Sequence, residues 1–130
     1  MKPLSSEWVA KAEGDFSSAQ RELRARSGPN FDAACFHAQQ CAEKYLKARL
    51  QEAGVTFGRS HHLIPLLDLA LPLEPMWEAC RTDLAVLSAF AVEFRYPGES
   101  ADRALAKEAV GRCASFRQLA RESLGLPVPR

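Results

Sequence analysis

At 130 residues the chain has room for one domain of ordinary size. A domain of that length buries roughly two-thirds of the surface its unfolded form exposes, so neither a disulfide nor a metal is required to hold it. With 47 % hydrophobic and 25 % charged residues it is not a disordered sequence, and with a formal net charge of +1 it has no bulk attraction to nucleic acid, membranes or acidic partners.

Gly and Pro fall in clusters that punctuate helical patterns: Gly28-Pro29, Gly54 to Gly58, Pro72 to Pro75, Pro97-Gly98 and the tail from Gly125. The opening MKPLSSEW has no apolar core of a secretory signal, which predicts a cytoplasmic protein. No apolar run approaches the roughly eighteen residues needed to cross a bilayer. A first helix is predicted from about Glu7 to Arg26, with Ser5 or Ser6 as its cap. Trp8, Ala12, Phe16, Ala19 and Leu23 make its apolar stripe, with Asp15 at the stripe's edge.

A second helix is predicted from about Phe31 to Ala53, capped by Asn30. At 100° per residue its apolar arc covers nearly half the circumference, from Phe31 and Ala34 to Leu46 and Ala48. So wide an arc belongs to a helix at the centre of a bundle. The opposite arc holds His37, Gln40, Glu43, Lys44, Lys47 and Gln51.

After a loop, a short third helix covers about His62 to Leu71, with Pro65 in its first turn. Pro75 opens a fourth that runs to about Phe94, with Trp77, Cys80, Leu84, Leu87, Ala91 and Phe94 as its stripe. Ser100 and Asp102 start a fifth that ends near Leu124, with Ala106, Ala109, Cys113, Phe116 and Ala120 inward. The tail 125–130 is expected to fray. No segment alternates with period two. The pattern therefore predicts an all-α, up-and-down bundle of about five helices, one domain over 1–130 with its core in about 5–124. Cys35, Cys41, Cys80 and Cys113 lie within helical patterns and form no C-x-x-C pair, so they read as small hydrophobes.

Four stretches carry a family resemblance. Phe36 to Ala48 reads as an aromatic-His pair, then Gln-x-x-Glu-Lys, then an apolar-Lys-Ala ending. Lys11-Ala12 with Asp15-Phe16, Ser60-His61-His62-Leu63 and Arg95-Tyr96-Pro97 follow in order on other elements. Together they resemble the HEPN domain family, the higher eukaryotes and prokaryotes nucleotide-binding domain, related to the helical C-terminal domain of kanamycin nucleotidyltransferase. The resemblance implies a helical bundle, a homodimer, and a setting beside a minimal nucleotidyltransferase, often in a toxin–antitoxin pair. Some members bind nucleotides and others cut RNA.

Ligand- or partner-binding residues expected on this basis are Gln40, Glu43, Lys44, Lys47, His61, Arg95 and Tyr96. By spacing alone the four on the second helix are a solvated face, with Glu43–Lys47 an i,i+4 pair contributing about 0.2–0.5 kcal/mol. Arg95, likewise, is a cation at a helix C-terminus, and Tyr96 packs at the turn before Pro97. The alternative is a phosphate-binding Arg beside a base-stacking aromatic. Four basic residues of helix five, Arg103, Lys107, Arg117 and Arg121, are a further patch that could meet phosphates, with a solvated face as the default.

RNA-cutting members carry an Arg followed, after four to six residues, by a His. Here Arg95 stands in the Arg position, but Ser100, Ala101 and Asp102 occupy the places for the His, and all three histidines precede Arg95. A carboxylate is a poor replacement for imidazole as a base near neutral pH. The expectation is therefore a non-catalytic module that binds a nucleotide or a nucleotidyltransferase partner, with no metal and no cofactor. The alternatives are a ribonuclease toxin with a degenerate Arg/His motif and a purely structural dimerisation module.

Overall fold

The computed structural model describes residues 1–128. It is all-helical among the described residues: α1 (Pro3–Arg24), α2 (Phe31–Glu52), α3 (Leu63–Ala70), α4 (Arg81–Glu93) and α5 (Arg103–Ser123), with a 3-10 turn at Pro75–Cys80 before α4. No described helix is long and apolar enough to cross a membrane.

Contacts between helix ends give the topology. Lys2 N donates to Glu52 Oε1, and Glu13 and Asp15 face Tyr45 and His37, so α1 and α2 are antiparallel. Asp32 accepts from Ala101 N at one end of α2, and Arg49 donates to Ser123 Oγ at the other, so α2 and α5 run parallel. Phe94, at the foot of α4, lies beside Asn30 and Phe36, where α2 begins. The four long helices thus alternate up and down, as the periodicity predicts. The short α3 lies alongside, joined to α4 through Arg81–Asp68 and Leu63 N–Ser88 Oγ.

α2 is the hub and packs on every other α-helix. Its small residues Ala34, Ala38, Ala42 and Ala48 are buried and let neighbours approach closely, while Tyr45, Leu46 and Leu50 fill the centre. Asn30 Oδ1 caps α2 by accepting from Ala33 N at 2.9 Å, as expected. At the other end Gly54, at φ +72°, takes the left-handed conformation that lets Gly54 N reach Gln51 O and Val55 N reach Leu50 O. That turn aims the 54–62 segment back along α2.

Some boundaries differ from expectation. α1 starts at Pro3 rather than Glu7, because Pro at the first position is pre-set for helix, and Ser5 becomes a buried helical residue instead of a cap. The predicted fourth helix is broken into a 3-10 turn and α4. The three-residue period of the 3-10 turn puts Trp77 and Cys80 on one inward side. Asp102, not Ser100, caps α5 through Leu105 N. The tail does not fray through 127: Leu126 N bonds Arg121 O, and Arg121 Nε donates to Pro127 O. Residues 129 and 130, the end of the predicted tail, lie outside the described residues. All four cysteines are free and buried, and burial pushes the Cys35 thiol up to about 11.

A polar clasp ties α1, α2 and α5. Arg117 donates twice to the Glu13 carboxylate, at 2.7 and 2.6 Å, and lies over the Phe16 ring. Tyr45 Oη also donates to Glu13, and Arg121 donates to Tyr45 Oη. The predicted basic face of α5 is thus partly spent inside the bundle, and Arg103 is turned to Leu23 O and the Phe31 ring. Burial raises the Glu13 carboxyl, but the hydrogen bonds from Arg117 and Tyr45 and the charges of Arg117 and Arg121 outweigh it and hold it below its ordinary 4.5. A depressed carboxylate contributes stability that is present above its unfolded pKa and is lost as pH falls through the folded one. Glu13→Gln is therefore expected to flatten the fall in stability between about pH 5 and about pH 3, read from urea unfolding midpoints at each pH. An unchanged acid limb would remove the clasp from the account.

Candidate functional site

The conspicuous polar residues of α2 fall into two groups with different neighbours. Toward α1, Asp15 accepts from Lys44 Nζ and stands 2.8 Å from His37 Nδ1. That contact explains why the A-x-x-D stretch of α1 and the His and Lys of α2 occur together: they are a clasp between the two helices. Lys44 therefore faces Asp15 and not the other predicted site residues.

Toward α3, Glu43 is the centre. It is only 2 % exposed and Lys47 only 5 %, so the expected solvated face is in fact interior. The reason is the 54–62 segment, which folds back over this side of α2 and covers it. Lys47 Nζ binds Glu43 Oε2 at 3.1 Å and sits 5.3 Å from the Trp8 ring centre and 5.9 Å from that of Phe57. His61 Nδ1 lies 3.1 Å from Glu43 Oε1. Gln39 Nε2 donates to the His61 carbonyl at 2.8 Å, and Gln40 Nε2 donates to Gln39 Oε1 at 2.7 Å. The loop before α3 is thereby held by side chains one to two turns apart on α2.

Above this network opens a cleft of about 360 Å³ between α2, the 59–62 segment and α4. Gln39, Gln40, Arg59, Ser60, His61, His62, Ser88, Ala91, Val92 and Arg95 line it. Of the seven predicted site residues, Gln40, His61 and Arg95 are brought together here, and Glu43 lies directly behind them. Lys47 is turned away to the aromatic pair, and Tyr96, 62 % exposed, is not among the lining residues. The lining has no carboxylate. Arg59 and Arg95 have none within 4.0 Å among the described residues. The cleft therefore offers two unneutralised guanidinium groups, two imidazoles and two hydroxyls as donors suited to a phosphate or carboxylate, the N–H groups of Gln39 and Gln40 being already engaged by Glu43, by Gln39 Oε1 and by the His61 carbonyl.

Sequence reasoning missed Gln39, Arg59, His62 and Ser88. Gln39 had a signal, since it stands one turn before Glu43 on the same face. Arg59 and Ser88 had none, because they enter only through the path of the loop and the rotation of α4. Among the described residues no group of His, Cys, Asp or Glu is arranged to hold a metal.

A model of the HEPN domain family matches residues 5–123. No curated protein matches the sequence. The chain is similar in structure to ST0689, an archaeal HEPN homologue known from a crystal structure, with a TM-score of 0.73 and 24 % identity over 94 % of this chain and 98 % of that one. At that identity the likeness speaks for the fold. The four motif stretches occupy one connected framework, α1 clasped to α2 and α2 clasped to the start of α3, with Arg95 at the foot of α4 opening on the same cleft. The chain belongs to the HEPN domain family.

Proposed function

We propose that this HEPN domain is a non-catalytic module that binds the phosphate of a nucleotide in the cleft between Gln40, His61 and Arg95. The observation that carries the reading is the cleft's one-sided charge: Arg59 and Arg95 face it, no acid lines it, and the carboxylate behind it is already engaged by Lys47 and His61. A guanidinium donates to phosphate oxygens as a fork, and the Ser60 and Ser88 hydroxyls can complete the shell. The family resemblance supports placing the module in the cytoplasm as a homodimer beside a minimal nucleotidyltransferase, as part of a toxin–antitoxin pair. Support for self-association also comes from the apolar surface next to Arg95, where Phe36, Val92 and Tyr96 are 39 %, 53 % and 62 % exposed.

Calorimetry with a panel of nucleoside mono-, di- and triphosphates tests the reading. Heat is expected for the native chain, together with a rise in melting temperature. Arg95→Ala is expected to lose affinity by about 10- to 100-fold, the effect of one charge-assisted fork. No heat from any nucleotide would leave a purely structural dimerisation module.

One observation favours a second reading, ribonuclease activity. The His missing after Arg95 in sequence has counterparts in space, since His61 and His62 line the same cleft as Arg95. An imidazole beside a guanidinium is a pair able to move a 2′-hydroxyl proton and stabilise phosphate charge. RNA cleavage by the native chain that disappears in Arg95→Ala would replace the non-catalytic reading with this one.

A further inference from the structure

The chain has three histidines, and their surroundings differ in two respects that decide their chemistry. One is whether a carboxylate fixes the ring; the other is whether unpaired cations face it. His37 has the carboxylate: its Nδ1 stands 2.8 Å from Asp15, which also accepts from Lys44. It is not among the residues that line the basic cleft. His62 lines the cleft with Arg59 and Arg95, but no carboxylate lies within 4.0 Å of its ring among the described residues. His61 alone combines the two.

Its Nδ1 lies 3.1 and 3.3 Å from the two oxygens of buried Glu43. A carboxylate only accepts, so Nδ1 carries the proton of the neutral ring and Nε2 carries the lone pair. The side chain is 76 % exposed, and Nε2 has no hydrogen-bond partner among the described residues. The ring is thus pinned at one nitrogen and open at the other. Gln39 holds the carbonyl of the same residue, so main chain and ring are both fixed. Arg59 and Arg95, free of carboxylates, and the hydroxyls of Ser60 and Ser88 line the cleft with it. Those hydroxyls accept from the His62 and Leu63 N–H groups, which leaves their own protons to donate. A fixed nucleophile among cations and donors meets the demands of phosphoryl transfer, in which a protein supplies chiefly position and charge stabilisation.

We propose that His61 is a phosphoryl-acceptor site, modified on Nε2 by an acyl phosphate. This rests on the reading of the cleft as a phosphate site and asks of it a small activated phosphate in place of a nucleotide. The Nε2 lone pair attacks phosphorus and the Nε2–P bond forms. The bond from phosphorus to the acyl oxygen breaks, and its electron pair leaves on the carboxylate product. No proton moves, because Nδ1 keeps its hydrogen. The ring becomes a cation, and the Glu43 carboxylate beside it balances the new charge. Arg59 and Arg95 take the phosphoryl oxygens as the leaving group departs.

Incubation of the intact chain with acetyl phosphate near neutral pH, followed by peptide mass spectrometry in alkali, tests the assignment. Brief acid treatment removes a phosphoryl group from histidine but not from serine, which separates His61 from its neighbour Ser60. His37, with a carboxylate but no cleft, and His62, with the cleft but no carboxylate, are controls within the same molecule. His61 is expected to gain the phosphoryl group at least about tenfold faster than either. Arg59→Ala and Arg95→Ala alter exposed side chains and are each expected to slow the modification of His61 by about tenfold. Equal rates at the three histidines, no label on His61, an acid-stable label on Ser60 or Ser88 in its place, or a rate at His61 indifferent to both arginines would overturn the inference. Nucleotide heat in calorimetry alongside any of these would leave the phosphate reading standing. Absence of both label and heat would remove that reading as well.

Discussion

Glu43→Ala is expected to lower the stability of the fold by about 3–5 kcal/mol, a large share of what a domain of this size possesses. The carboxylate is 2 % exposed and its partner Lys47 is 5 % exposed. Removing one member strands the other as a buried charge, and an ammonium without its counter-ion is costly in a low dielectric. The rings of Trp8 and Phe57 return part of that loss, about 2 kcal/mol at most for a desolvated cation over an aromatic face. The double substitution Glu43→Leu with Lys47→Met, which fills similar volume without charge, is expected to remain within about 1–2 kcal/mol of the native chain. Urea unfolding midpoints at constant m give both values. A single-substitution loss below about 1 kcal/mol would mean that the pair is the solvated i,i+4 bridge its spacing alone suggests.

A loss of similar size is expected on the other side of the bundle. Phe116 on α5 is fully buried and meets the edge of Trp77, ring centres 5.0 Å apart at 78°. Trp77 anchors the 3-10 turn that replaces the start of the predicted fourth helix. Phe116→Ala removes a whole aromatic side chain from a closed core and is expected to lower stability by about 3–5 kcal/mol. Urea unfolding midpoints at constant m give the value. A loss below about 1 kcal/mol would mean that the core closes around the missing ring and that the turn is held by other contacts.

The bundle was legible because its information is local. The stripes of Ala12, Phe16 and Ala19 on α1, and of Ala106, Cys113 and Phe116 on α5, are periodic and fall on the buried side. Asn30 acts as the expected cap by simple residue chemistry, whereas the cap of α5 falls on Asp102 and not on Ser100. Periodicity misled where a loop intervened. It placed Glu43 and Lys47 on the outer arc of α2, and a wheel of one helix has no term for a segment that returns from Gly54 to cover that arc. The 3-10 turn was illegible for a related reason: Trp77 and Cys80, three apart, satisfy a helix and a tighter turn equally. Motif order, unlike spacing, drew together residues from separate elements. It brought forward Gln40, His61 and Arg95, which share a cleft, while Arg59 and Ser88 depend on backbone paths that no sequence window contains.

The grip of Gln39 on the main chain at His61, and of Glu43 on its ring, has a bearing on how a guest is received. The segment from Arg59 to His62 is fixed in shape by a helix beneath it, so the mould exists before anything enters. Under the proposed phosphate reading, little freedom would remain to be surrendered on docking, and recognition would be closer to a key meeting a cut lock than to a hand closing. Loosening that grip by substituting Gln39 changes nothing the guest touches at His61, yet it alters the mould itself.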